Sequence, residues 1–352
     1  MNNFQKRLEI ISPEAVALIA RVDELRGQWT GGATLNPVVL DRLQKSSLLT
    51  STGASTRIEG SRLSDQEVEK VMKNLTVTRM AERDVQEARG YYETLNFVYE
   101  NYTELPLTES TIFYLHAQLL QYSSKDTRHK GQYKHLENQV EMRDETGNLI
   151  EVVFETTPVY LTPKAMNELL QSVTAALASN TQHRLPVIAN FIVEFLKIHP
   201  FLDGNGRLSR ILTNMLLLQA GYAYIPYVSL ERLVEARKGD YYVALRRSQG
   251  TFGTKSESIA DWLQYFLEVL NQQAMQATSL LEISTLEIDL SPAQQKVWEI
   301  FADDEVITPK QIMTMTGVPR GTVGQALEKL LQLKMIERMG LGSSTRYKKL
   351  NK

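Results

Sequence analysis

The stretch HPFLDGNGRLSR, His199–Arg210, decides how this chain is read. It holds one histidine, one aspartate, two glycines around an asparagine, and two arginines a helical turn apart. On its N-terminal side, Pro186 opens a run with Ile188, Phe191, Ile192, Phe195 and Ile198 at helical spacing. His199 ends that run, and Pro200 forbids its continuation. On the other side, Leu208, Ile211, Leu212 and Met215 repeat from Arg207 to Gly221, a C-terminal cap. FLDGNG is therefore the joint between two buried helices, at the N-terminus of the second.

That position dictates chemistry. A helix N-terminus carries unpaired N–H groups and a partial positive charge. Gly204 and Gly206 let the backbone fold into a concave nest of donors, an anion hole suited to phosphate. Arg207 and Arg210 share a helix face and can fork onto further phosphate oxygens. Asp203 beside a polyphosphate suits Mg²⁺, which commonly takes one carboxylate plus phosphate oxygens. His199 is the group here that accepts a proton near neutral pH. A glycine-rich turn with a capping aspartate and surface arginines would use some of these residues, but not the whole set. There is no GxxxxGK[ST], GxGxxG or HExxH, and His116, His129, His135 and His183 show no metal-ligand spacing.

The stretch resembles the signature HPFx[D/E]GNGRxxR of the Fic (filamentation induced by cAMP) family, with every defined position present. The resemblance extends over roughly residues 40–270. It implies a mostly α fold: a Fic-type helical core with a β-hairpin flap. It also implies a protein adenylyltransferase, moving AMP from ATP to a hydroxyl side chain of a target protein. By that likeness His199 is the base and Asp203 the Mg²⁺ ligand. The amides of Gly204, Asn205 and Gly206, with the Asn205 side chain, hold the α-phosphate region. Arg207 and Arg210 hold the β- and γ-phosphates, and Phe201 anchors the loop. Family members that lack the arginines transfer phosphate instead, and both are present here. The segment GDYYVAL matches a family position near the adenine, which implies Tyr242 rather than Tyr241, although a tyrosine pair on a helix also suits a core. Upstream, STRIEG matches the inhibitory pattern [S/T]xxxE[G/N], with Ser55 first, Glu59 as its acid and Gly60 last. In the family that glutamate pairs with the final arginine, here Arg210.

The rest of the chain fits around this core. It has 352 residues, 43% hydrophobic and 23% charged, with net charge -2 and no cysteine. That is ordinary globular composition, with no disulfide framework or thiolate chemistry. No apolar leader or uninterrupted apolar span is evident, so a cytoplasmic chain without a membrane partner is expected. Most segments read helical: 13–27, 38–50, 64–74 (Ser64 and Glu67 forming a capping box), 81–101, 108–122, 163–179, 186–199, 207–220, and onward to about 280. Residues 50–63, TSTGASTRIEGSRL, read as a polar loop or short helix. Period-two alternation around DETGN predicts a hairpin over 139–155, where the family places the flap that pairs with an extended target segment.

The expected organisation is an N-terminal helical region, 1–105, a catalytic core, 106–280, a linker, 281–290, and a final domain, 291–352. The last shows helix, helix, longer helix and a Gly-tipped basic hairpin, the winged helix-turn-helix order. Its net charge is +4, leaving -6 on the rest. It permits a DNA or a protein partner. Two alternatives to AMP transfer stand beside it: a DNA-binding regulator with a nucleotide-sensing core, and an enzyme that removes AMP through a water positioned by Glu59. The target, which includes the chain itself, and pairing into a homodimer are left open.

Overall fold

The computed structural model describes residues 2–32, 37–74, 82–123, 129–143, 149–179, 181–288, 290–301, 306–333, 335–339 and 345–350. Two compact units emerge, Met1–Gly32 with Leu40–Thr278, and Ala33–Val39 with Ser279–Lys352.

The first unit is helical. Its elements begin with α1 (Asn3–Lys6), α2 (Pro13–Gly32), α3 (Pro37–Ile58), α4 (Asp65–Met72), α5 (Glu82–Asn101) and α6 (Glu109–Leu119). A hairpin follows, β1 (Gln139–Arg143) paired antiparallel with β2 (Leu149–Glu155), in a register running from Gln139↔Glu155 to Arg143↔Leu149. The expected turn at 144–148 lies outside the described residues. Then come α7 (Thr162–Ser179), α8 (Arg184–Ile198), α9 (Asn205–Gln219), α10 (Leu230–Ala236), α11 (Lys238–Gln249) and α12 (Ala260–Ile288).

The centre of this unit is α8, which is buried on nearly every face. It packs against α7, α9 and α11, while α9 also packs against α5. Each fully buried aliphatic or aromatic side chain contributes about 1.5–3 kcal/mol. The Trp262 indole N–H donates to the Ala189 carbonyl at 2.8 Å and pins α12 to α8. Gly90 lets α5 close on α6, since a Cβ there would collide with the Leu119 carbonyl.

Three elements differ from the sequence reading. Residues 50–58, read as a polar loop or short helix, are helical, as the last turns of the 22-residue helix α3 rather than a separate element. The hydroxyls explain this: Thr52 and Thr56 donate to the carbonyls of Leu48 and Thr52, at 2.8 and 3.0 Å, and Ser51 donates to Ser229 at 2.9 Å. The threonine hydroxyls are absorbed inside the helix and that of Ser51 by Ser229, and all three residues are fully buried. The helix ends where Gly60 turns left-handed, with φ 101°. Second, α9 begins at Asn205 rather than Arg207, because Gly204 caps it in the left-handed region with φ 81°. Third, α12 runs on to Ile288, so most of the expected linker is helical.

The second unit contains α13 (Pro292–Trp298), β3 (Val306–Ile307), α14 (Pro309–Thr316), α15 (Arg320–Gln332), β4 (Ile336–Met339) and β5 (Arg346–Lys349). The sheet order is β3-β5-β4, all antiparallel. Ser291 with Gln294 and Thr308 with Gln311 form capping boxes at the starts of α13 and α14. Val297, Ile312, Val323, Ala326, Leu330 and Ile336 form its core. This is the winged-helix arrangement, with β3 as the added strand that two residues of sequence do not announce.

Candidate active site

The site lies where α8 ends and α9 begins. His199 closes α8 in the left-handed region, φ 53° and ψ 61°, with its amide donating to the Phe195 carbonyl at 2.9 Å. A non-glycine residue there is strained by about 1–3 kcal/mol and persists only where its surroundings fix it. Here they do. Pro200 follows, and the Asn205 side chain clamps Phe201: its Oδ1 accepts from the Phe201 amide at 3.0 Å, and its Nδ2 donates to the Phe201 carbonyl at 2.7 Å. Asn138 donates to that carbonyl as well, at 2.8 Å. Phe201 itself is fully buried.

His116 of α6 supports the same loop. The Gly131 amide donates to its Nδ1 at 3.0 Å, so the proton must sit on Nε2, which donates to the Asp203 carbonyl at 3.0 Å. Its ring stacks on Phe201, centroids 3.8 Å apart and 13° from parallel. Burial pulls its pKa down to about 4, against weaker support from Asp203. The sequence reading tested this histidine only for metal-ligand spacing and missed its role. The available signal was a histidine on the buried face of an amphipathic helix.

The His199 Nδ1–H donates to the Leu196 carbonyl at 3.2 Å, which leaves the imidazole lone pair on Nε2. Burial pulls its pKa down to about 4; Lys134 adds to this, while the Leu196 carbonyl, Glu59 and Asp203 oppose it. The imidazole is therefore neutral and ready to accept a proton at neutral pH.

Asp203 Oδ1 accepts from the Gly204 amide at 2.6 Å and from Arg207 Nη2 at 2.9 Å. Burial acts to raise its pKa, but Arg207, the Gly204 amide and Arg83 outweigh it and hold the carboxyl below its ordinary value. Arg207 is almost wholly buried; its Nη1 is 3.3 Å from Glu87 Oε2, and Glu87 also accepts from Arg83 Nε at 2.6 Å. Glu87 was not foreseen, because no local pattern links α5 to the motif.

Arg210, 3% exposed, is held by the end of α3. Its Nε donates to Ser55 Oγ at 2.9 Å, and its Nη2 donates to the Ser55 carbonyl and to Glu59 Oε1, each at 2.9 Å. Burial would lower the Arg210 pKa, but Glu59, with Tyr241 and Tyr91, raises it on balance. The Glu59 carboxylate also lies over the first turn of α9, where a Cβ on Gly206 would collide with Oε1. Among the described residues, the buried Arg207 Nε and Arg210 Nη1 have no hydrogen-bond acceptor, and Arg207 Nη1 has the Glu87 ion pair without an aligned hydrogen bond. Leaving such donors unmade costs about 1–3 kcal/mol each, so the two arginines have donors to spare.

Arg57, two residues before Glu59, fixes this turn. Its Nε and Nη2 donate to the two carboxylate oxygens of Glu235 at 2.6 and 3.0 Å. Its Nη1 donates to the Leu63 carbonyl at 2.7 Å and lies 2.9 Å from Asp65.

The tyrosine pair divides as its helix dictates. Tyr241 is buried edge-on to Trp262 and Tyr265, at 5.7 and 5.9 Å, and burial pushes its phenol up to about 12. Tyr242 is partly exposed, packs on Tyr241 at 5.2 Å, and feels Glu59 as well as burial in its raised pKa. The structure therefore brings His199, Asp203, Gly204, Gly206, Arg207, Arg210, Ser55 and Glu59 together, with Tyr242 at their edge. It also ties the Asn205 side chain to the loop backbone through Oδ1 and one Nδ2–H, beside its own amide at the start of α9.

Residues 106–217 match the model of the Fic/DOC family. The chain carries a Fic domain. Residues 304–350 match a second model, the C-terminal domain of a DIP2311-like transcriptional regulator. A Fido domain-containing protein of Dictyostelium discoideum is 35% identical over 78 residues, 21% of this chain and 54% of that protein. The protein adenylyltransferase Fic of Drosophila grimshawi is 50% identical over 44 residues, 12% of this chain and 9% of that one. The match thus spans about half of the first relative and a small part of the second. Among solved structures, a Fic family protein from Desulfovibrio desulfuricans G20 superposes with a TM-score of 0.63 at 22% identity, covering 98% of both chains. A Fic domain-containing signalling protein from Bacteroides thetaiotaomicron gives 0.61 at 22% identity, covering 74% of this chain and 97% of that one. These two likenesses speak for the fold. No helix among the described residues is long and apolar enough to cross a membrane.

Proposed function

We propose that this chain is a protein adenylyltransferase, held idle by Glu59. The observation that carries the reading is the anion site: a glycine nest at the start of α9, flanked by two buried arginines with unmade donors and facing a neutral histidine. The Drosophila relatives, named protein adenylyltransferases, support it.

The residues present fit ATP and Mg²⁺. The amides of Asn205 and Gly206 would face the α-phosphate. Arg207 and Arg210 would hold the phosphates beyond it, filling the donors that are unmade in this state. Asp203 is ionised, both of its hydrogen bonds fall on Oδ1, and its side chain is 38% exposed, so Oδ2 is the oxygen for Mg²⁺. When bound, Mg²⁺ would offset phosphate charge.

In the transfer, the target hydroxyl oxygen attacks the α-phosphorus while its proton passes to His199 Nε2. One O–P bond forms, the bridging bond between the α- and β-phosphates breaks, and pyrophosphate leaves on the two arginines. Positioning and charge stabilisation supply the rate. The hairpin would hold the target segment by strand addition.

The test uses Glu59→Gly with lysate proteins and ATP labelled on the α- or the γ-phosphate. Label retained only from the α-position supports AMP transfer, and retention from the γ-position identifies phosphate transfer instead. His199→Ala in the same background is expected to lose about 10²–10⁴-fold. For the second unit, whose residues 304–350 match a regulator's C-terminal domain, DNA or a protein is the proposed partner. A salt-dependent gel shift of the full chain on duplex DNA tests that.

A further inference from the structure

Lys134 lies outside the motif and belongs to no described strand or helix. Its side chain is nevertheless buried, with the residue 3% exposed. An ammonium has three donors and no acceptor, and each donor here has a partner. Nζ donates to Asn138 Oδ1 at 2.8 Å, to Thr156 Oγ1 at 2.9 Å and to the Ile198 carbonyl at 3.2 Å. The Lys134 amide donates to the Pro200 carbonyl at 2.8 Å.

These partners have distinct places. Asn138 immediately precedes β1, and Thr156 immediately follows β2. They are the two feet of the hairpin. Ile198 and Pro200 flank His199 in the chain. The contacts continue outward: Thr156 Oγ1 donates to the Asn138 carbonyl at 2.7 Å, Asn138 Nδ2 to the Phe201 carbonyl at 2.8 Å, and the Thr157 amide to the Lys197 carbonyl at 3.3 Å.

We infer that Lys134 is a positioning residue, whose buried ammonium clamps both feet of the hairpin to the backbone on either side of His199 and so sets a captured target segment relative to the base. The inference rests on the transferase reading for its consequence, though not for the clamp itself. A neutral polar residue would not do the same work. The Ile198 carbonyl and the two side-chain oxygens converge on Nζ, whose three donors bond all of them at once, beside the 2.7 Å contact of Thr156 Oγ1 with Asn138 Oδ1. The charge has a cost: burial pulls the Lys134 pKa down to about 8, with Glu137 partly opposing it. Among the described residues no carboxylate pairs with it. A charge kept inside without an ion-pair partner is expensive, and its geometry accounts for it here better than its stability does.

The test compares Glu59→Gly as parent with Lys134→Met and Lys134→Arg in the same background. Three quantities are read: ATP affinity by calorimetry, label transfer from α-labelled ATP to lysate proteins, and hydrogen exchange over residues 136–143, 152–157 and 196–201. Lys134→Met is expected to leave ATP affinity unchanged and to lower transfer by about 10–100-fold, as a misplaced reacting group does. It should speed exchange at both hairpin feet and around residue 199 together. Lys134→Arg, which keeps the charge and the donors, should recover much of the transfer. Parallel loss of ATP affinity and transfer would mean a general packing role and would overturn the inference, as would unchanged transfer. If the parent itself transfers no label, the transferase reading fails separately. The clamp is then judged on exchange alone, where unchanged exchange in Lys134→Met overturns it and coordinated loosening sustains it.

Discussion

Glu59 Oε1 accepts a 2.9 Å hydrogen bond from Arg210 Nη2 while lying against the backbone of Gly206. One carboxylate thus meets both parts of the anion site, the arginine and the helix N-terminus. A buried arginine without a counter-charge is costly, and a triphosphate would supply that counter-charge directly. With Glu59 in place, a phosphate meets a negative group where it should meet Arg210.

Arg57 should control how firmly Glu59 is held. Its fork onto Glu235 and its bonds to Leu63 and Asp65 fix the turn that carries Glu59. Arg57→Ala is therefore expected to raise basal transfer by about 2–10-fold, the effect of a partly exposed pair. The rise should be smaller than that of Glu59→Gly, since the acid remains. Initial rates with α-labelled ATP check this, and an unchanged rate would show that the turn holds itself.

His199 and His116 should not titrate near pH 6.5. Both are depressed to about 4, mainly by burial. The chain has five histidines, so selectively labelled imidazoles can be followed by NMR and assigned with His199→Ala and His116→Ala. Both groups are expected to stay neutral down to about pH 5. The stability they contribute is complete above pH 6.5 and is lost as pH falls towards about 4, because the unfolded chain binds protons that the folded chain refuses. At its steepest their joint contribution is about 2.7 kcal/mol per pH unit.

Asn205→Ala should act on stability. Its side chain makes both bonds to the Phe201 backbone and is 2% exposed. Losing them leaves the buried Phe201 amide unpaired, while its carbonyl keeps Asn138, at a cost of about 1–3 kcal/mol, readable by denaturant unfolding. If stability is unchanged while ATP affinity drops, the side chain serves phosphate after all.

Much of this was legible in the sequence because the signals were local. The α8–α9 joint followed from Pro200, the glycines and two apolar stripes. The pairing of Glu59 with Arg210 followed from resemblance, since 151 positions separate them and no period connects such residues. What escaped notice was polar and buried. The end of α3 stayed open between a loop and a short helix because serine and threonine often mark loops, yet the Thr52 and Thr56 hydroxyls bond within the helix. His116, Glu87 and Lys134 escaped because each acts on a distant segment through the fold. The bonds of the Asn205 side chain to Phe201 were not legible either, because they exist only once the loop closes.

The central claim is that the Glu59–Arg210 pair holds a competent transferase idle. Incorporation from α-labelled ATP by wild type, Glu59→Gly, Arg210→Ala and the double variant tests it most directly. A charge-assisted pair contributes about 1.5–3 kcal/mol, so Glu59→Gly should transfer roughly 10–100-fold faster than wild type. Arg210→Ala breaks the same pair but removes part of the phosphate clamp, so neither it nor the double variant should reach that rate. A Glu59→Gly variant no faster than wild type would contradict the account. So would a wild type that strips AMP from a modified protein while Glu59→Gly cannot, since Glu59 would then be a catalytic residue rather than a restraint.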